Sequence, residues 1–186
     1  CSRHVREIVQ TVQRERARLV ALAGQPVALR MDHVQGTGEL RIPVRMVKTE
    51  RDTTWLVKPY FGEVRPQKST LLPEKYFVER KDSAIVELLR RHHISVEEVT
   101  RETEMNVSAF FTDSVTRANI EEETQPLISV SRRQIKKTFK PGDFMISTGQ
   151  PQSLLTAIIL EPESMWGLTK YEQFAYLIKL GQYPVF

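Results

Sequence analysis

The stretch LLPEKYFVERKDSAIVELLRRHHISVEEVT (residues 71–100) changes its hydrophobic period twice. KYFVE reads as a short strand. KDSAIVELLRRHH then places Ile85, Val86, Leu88 and Leu89 on one helical face, with Asp82 or Ser83 as N-cap. Arg90, Arg91, His92 and His93 close that helix, where cationic side chains suit the macrodipole and the free carbonyls. ISVEEVT reads as a second short strand. Strand, helix and strand in this order are the usual seed of a parallel sheet, so the stretch predicts an α/β core.

Downstream, NVSAFF (106–111) and LISVSRRQIKKTF (127–139) read as strands either side of a Glu121–Glu122–Glu123 loop. The segment PGDFMISTGQPQSLLTAIILEPES (141–164) predicts a turn, the strand DFMIS, a polar loop and a helix burying Leu154, Leu155, Ile158 and Ile159 until Pro162 stops it. TKYEQFAYLIKLG predicts a last helix with Phe174, Leu177 and Ile178 inward and Gly181 as its stop. Upstream, residues 2–23 carry Val5, Ile8, Val9, Val12, Leu19, Val20 and Leu22 at helical spacing, a long amphipathic helix ended by Gly24 and Pro26. PVALRMDHV, ELRIPVRMV and TTWLVKPYFG alternate apolar and polar residues as antiparallel strands do. Gly36-Thr37-Gly38 reads as a hairpin turn between the first two, and Pro43 as an edge or bulge position.

The expected architecture is therefore α/β, a partly parallel sheet flanked by helices. Residues 1–25 form an N-terminal helix, 26–69 an antiparallel strand-rich arm, and 70–186 the α/β core. A chain of 186 residues with 40% apolar and 27% charged residues can bury a sizeable core without disulfides or metals. Its net charge of +4 is modest for a nucleic-acid protein, and its longest apolar run, LLTAII plus Leu160, is too short to span a bilayer. The single cysteine, Cys1, reads as the start of a fragment rather than as an N-terminal nucleophile or a lipidated residue.

Chemistry-bearing patterns are sparse. His4 and Glu7 in HVRE match a zinc-binding His-x-x-Glu pair, with His92 or His93 as a nominal third ligand. The pair sits on the first turn of a terminal helix with no scaffold around an open coordination position, so it reads as helix surface. The basic run SRRQIKKTFK (131–140) reads as a solvated strand face, and no nucleic-acid partner is expected. No G-x-S-x-G elbow and no phosphate-gripping glycine loop occur. The remaining candidates are Thr148, Gly149, Gln150 and Ser153, in the loop between strand and helix. Gly149 permits a positive φ, Ser153 is a plausible N-cap, and free N–H groups there could hold an anion or a carbonyl. Gln150 equally suits a purely architectural role, bonding neighbouring backbone.

PGDFMISTGQP followed by LLTAIILEPES, Gly167-Leu168 and GQYPVF resembles the closing segment of large bacterial proteins of the zinc carboxypeptidase (carboxypeptidase A-like) family. LLPEKYFVERKDSAIVELLRRHHISVEEV is similar to a unit upstream of it, with His93 where that family more often has Gly. The resemblance covers most of the chain. It implies a non-catalytic C-terminal α/β domain, likened to class I glutamine amidotransferases without the nucleophile. It also implies no cofactor in this chain, since zinc would belong to a catalytic domain lying outside it. The partner would be that peptidase domain or another subunit, and the location secreted or periplasmic. The expected role is to support the peptidase domain or shape substrate access. The alternative is a small-ligand or peptide-binding module using residues 148–153.

Overall fold

A computed structural model describes residues 23–120, 123–179 and 181–186. Cys1, His4, Glu7 and all but the last residue of the helix expected over residues 2–23 lie outside the described residues. Nine strands follow in chain order: β1 Pro26–Val34, β2 Leu40–Arg45, β3 Asp52–Val57, β4 Glu63–Leu71, β5 Lys75–Val78, β6 Glu97–Glu98, β7 Thr103–Ile120, β8 Glu123–Phe139 and β9 Phe144–Ser147. Two α-helices are described, α1 Ser83–Arg91 and α2 Ser153–Leu160, and Glu172–Lys179 is a 3-10 helix where an α-helix was expected.

The expected parallel sheet is overturned, because among the described residues every strand pairing is antiparallel. The strand–helix–strand unit exists as β5–α1–β6, but its two strands do not touch. β9 lies between them in the order β5-β9-β6 and runs antiparallel to both. The sequence is a split unit, whose middle strand arrives from far downstream. With its small antiparallel sheets and long ribbons, the fold does not have the amidotransferase-like topology either.

This small sheet is covered on both faces, and Tyr76, Phe77 and Val78 of β5 are accordingly all buried. Tyr76, Val78, Phe144 and Ile146 join Ile85, Val86 and Leu89 of α1 and Ala157, Ile159 and Leu160 of α2 in the main core. Phe77, on the opposite face by strand alternation, joins Val107, Ala109, Phe139 and Phe186 in a second cluster. There the Phe77 and Phe139 rings stack at 4.6 Å between centroids.

β7 and β8, of 18 and 17 residues, form one long hairpin whose base supplies that second cover. β1 pairs with β4, and β2 with β3, as two successive sections of a second ribbon. The Gly36-Thr37-Gly38 turn reading is corrected here: β1 and β2 do not pair, and Gly36 N–H donates to Tyr60 O across an interruption of the ribbon. The reversal falls instead at residues 46–51, where Glu50 adopts φ 52°. Among the described residues no helix is long and apolar enough to cross a membrane.

His93 ends α1 with φ 57°, the left-handed conformation that glycine adopts at little cost. Ile94 N–H reaches back to Leu89 O at 3.0 Å and His93 N–H to Arg90 O at 3.0 Å, the bond pair of a Schellman motif. Ile94 and Leu89 are both buried, so the motif also carries its apolar contact. A β-carbon at His93 is strained in this position, and His93→Gly should stabilise the protein by about 1 kcal/mol. Differential scanning calorimetry should show Tm rising by roughly 3 °C; a fall in Tm would mean the imidazole holds the turn through contacts stronger than the strain.

Candidate functional site

The loop singled out from sequence is brought together with two other segments, and its side chains face inward. Thr148 Oγ1 lies within hydrogen-bonding distance of the carbonyls of Pro73 (2.5 Å) and Glu74 (3.0 Å). Gln150 accepts from Ser95 N–H through Oε1 at 2.7 Å, and its Nε2 donates to Ser147 O at 2.7 Å and Ser95 O at 3.2 Å. The amide thus ties β9 to the segment leaving α1. Gly149 N–H donates to Ser147 Oγ at 3.2 Å. Positive φ falls at Gly142, in the preceding turn, rather than at Gly149. Ser153 is the first residue of α2 instead of its cap; Gln152 holds the cap position, and the Ser153 hydroxyl is buried without a partner. The loop is a backbone clasp.

A denser polar cluster lies at the other end of α2, where sequence reasoning placed nothing. Glu161 is 1% exposed. Its carboxylate accepts from Tyr76 at 3.0 Å on Oε1 and from Arg132 Nη2 at 2.8 Å on Oε2, with Thr70 Oγ1 3.3 Å from Oε1. Arg132 Nη2 also donates to Thr70 Oγ1 at 2.6 Å, and its guanidinium lies 4.8 Å over the Phe110 ring. Register explains the stacking, because Phe110 and Arg132 face each other across the β7–β8 ladder. The basic run is therefore only partly a solvated face. Lys137 pairs with Glu79 and lies 4.6 Å over Phe186, and Lys136 pairs with Glu104 in the open.

Beside this cluster a cavity of about 320 Å³ opens between β5 and β7. Tyr76, Arg132, Ser108 and Gln134 line it together with Phe77, Met105 and Val107. The one sequence signal for the cluster was Glu161 itself, a lone acid closing the apolar run LLTAIIL. Among the described residues no group of His, Cys, Asp or Glu is placed to hold a metal ion, and His92 and His93 stay on the outside of the α1 terminus.

No family model matches the chain, and neither the curated proteins nor the solved structures yield a match.

Burial pushes the Glu161 carboxyl above its ordinary value, and Arg132, Tyr76 and Thr70 offset that only in part. The native state therefore holds a proton that the unfolded chain releases near the ordinary carboxylate value. The stabilisation is complete below that value and is lost as pH rises through the raised one. Glu161→Gln removes this titration, so its stability relative to wild type should climb with pH from about 4.5 upward, by at most about 1.4 kcal/mol per pH unit. Asp82, whose carboxyl burial also raises, is present in both proteins and cancels. Urea unfolding at a series of pH values checks this, and a difference independent of pH would show Glu161 to be ionised throughout.

Proposed function

We propose that this chain is a non-catalytic accessory module of a zinc carboxypeptidase-like protein, one that docks on the peptidase domain and supports it or shapes access to it. The observation that carries this reading is the β2–β3 section of the ribbon. Its register puts Leu40 and Val57, Ile42 and Trp55, and Val44 and Thr53 on one face, while Arg41, Leu56, Pro43, Thr54, Arg45 and Asp52 lie on the other. An isolated two-stranded ribbon is marginal in water, and among the described residues nothing covers this apolar face, with Trp55 64% exposed. Phe61 and Tyr60 add exposed aromatic surface at the interruption that follows. Such a face suits contact with another folded domain better than contact with a small solute.

The clasp at residues 148–153 supports the same reading. The side chains of Thr148 and Gln150 are turned to neighbouring backbone, which suits a joint within the fold. The family identity itself rests on the resemblance of residues 71–100 and 141–186.

Two measurements test the proposal. The purified chain should contain no stoichiometric zinc and should not release the terminal residue of a blocked dipeptide; metal bound one to one together with turnover would make it an enzyme instead. Mixed with the peptidase domain of its parent protein, it should form a complex that Trp55→Ser combined with Phe61→Ser weakens by at least about tenfold. Unchanged association of a variant with an unaltered melting curve would remove the ribbon from the interface.

A further inference from the structure

The turn that closes the β2–β3 ribbon fixes which of its backbone groups face outward. Met46 N–H donates to Arg51 O at 2.9 Å, so these two residues form a bonded pair. Bonded and non-bonded pairs alternate along an antiparallel ladder. Val44 with Thr53, Ile42 with Trp55 and Leu40 with Val57 are therefore bonded across the ribbon, whereas Arg45 with Asp52, Pro43 with Thr54 and Arg41 with Leu56 are not. Pro43, which has no N–H to give, stands where the ladder uses none. The residues of the second set turn their N–H and C=O groups away from the ribbon, to its two outer edges.

Those edges differ in chemistry. β2 presents Pro43 between Arg41 and Arg45, a missing donor flanked by like charges, which is how sheet edges are kept from pairing. β3 presents Thr54 and Leu56, whose N–H groups the β2 ladder does not use, in a stretch of β-branched and aromatic residues. Among the described residues β3 has β2 as its only strand neighbour, and Thr54, Trp55 and Leu56 are all exposed.

The sequence of β3 complements itself. When two copies pair antiparallel, outward residues must meet outward residues, which leaves few registers. Centred on Thr54, the pairing sets Asp52 against Leu56; centred on Leu56, it sets Thr54 against Lys58, the residue after β3. Centred on Trp55, it sets Thr54 against Leu56 and Asp52 against Lys58. Within residues 52–58 only this last register joins opposite charges, and it does so at both ends. Among the described residues Asp52 has no cationic partner, while Lys58 meets only Glu39, with both of these side chains well exposed. The same register puts Trp55 opposite its own copy as a non-bonded pair, the closer of the two spacings, where aromatic side chains interact across strands.

We propose that two copies of this chain associate through β3, edge to edge and antiparallel about Trp55, into a four-stranded sheet of order β2-β3-β3-β2. Thr54 and Leu56 of each copy bond to Leu56 and Thr54 of the other, and the two apolar faces that carry Ile42 and Trp55 become one. Self-association uses the edge of the ribbon, whereas contact with a peptidase domain uses its face, so each can fail without the other.

Sedimentation equilibrium of the whole chain over a series of concentrations should show the mass rising from one chain to two. Thr54→Pro removes a donor from the outer edge without touching the β2 ladder. It should weaken the dimer at least about tenfold with an unaltered melting curve, and because Ile42 and Trp55 stay in place it should leave association with the peptidase domain unchanged. Asp52→Lys should weaken the dimer about threefold by setting like charges against each other, and adding Lys58→Asp should restore it. A single-chain mass at every concentration, or a dimer that Thr54→Pro leaves intact, would overturn the proposal. Failure of the charge exchange to restore association would overturn the register centred on Trp55.

Discussion

A carboxylate at the end of the apolar helix α2 has to be neutralised where it stands, and much of the architecture follows from that. Glu161 is carried to the interior by Ile159, Leu160 and Ala157, which are core residues of the same helix. Burying an ion costs several kcal/mol unless charge and hydrogen bonds compensate it. The compensation comes from β4 (Thr70), β5 (Tyr76) and β8 (Arg132), so the network joins the ribbon, the small sheet, α2 and the long hairpin at one point. Phe110, the cross-strand neighbour of Arg132, lies 4.8 Å from the guanidinium that reaches Glu161. Hairpin register and helix position are thereby fixed together.

The small sheet needs that arrangement. β5 and β9 have four residues each and β6 has two, too few to stand as an independent sheet. Its helices cover one face, but the other is closed by Phe139, Val107 and Ala109 from the base of the hairpin. Segment 181–186 then bonds to β5 and to β7, turning a contact between faces into a continuous ladder. Asp143 adds a smaller brace, accepting from Arg80 N–H at 2.9 Å and from Lys140 N–H at 2.8 Å, which pins the β8–β9 turn to the start of α1.

How far this could be read beforehand depends on the range of the interaction. Local signals were legible: the period of α1, the short strand in KYFVE, the helix LLTAIIL and the alternation along β2 and β3. Adjacency was not legible. That β9 separates β5 from β6 depends on Phe144–Ser147, which no pattern within residues 71–100 contains. Gly36-Thr37-Gly38 looked like a turn because glycines punctuate turns, yet the polar residues 46–51 make the reversal. Arg132 was hidden in a run of like charges, most of them solvated, and only the register with Phe110 distinguishes it. Glu161 was the exception. A single acid closing an apolar helix is a sign of burial visible in the sequence, and it marks the cluster that the search of loops passed over.

The side chains of Thr148 and Gln150 in the polar loop are already engaged within the fold. Thr148 and Gln150 already hold β9 against β5 and against the segment after α1, so a ligand there would have to displace bonds that close the core. Among the described residues nothing covers the face of β2–β3 that carries Ile42 and Trp55, which presents apolar area without direction. The ribbon is tied to the core by the same brace, because Thr70, at its root, accepts from the Arg132 guanidinium that also pairs with Glu161.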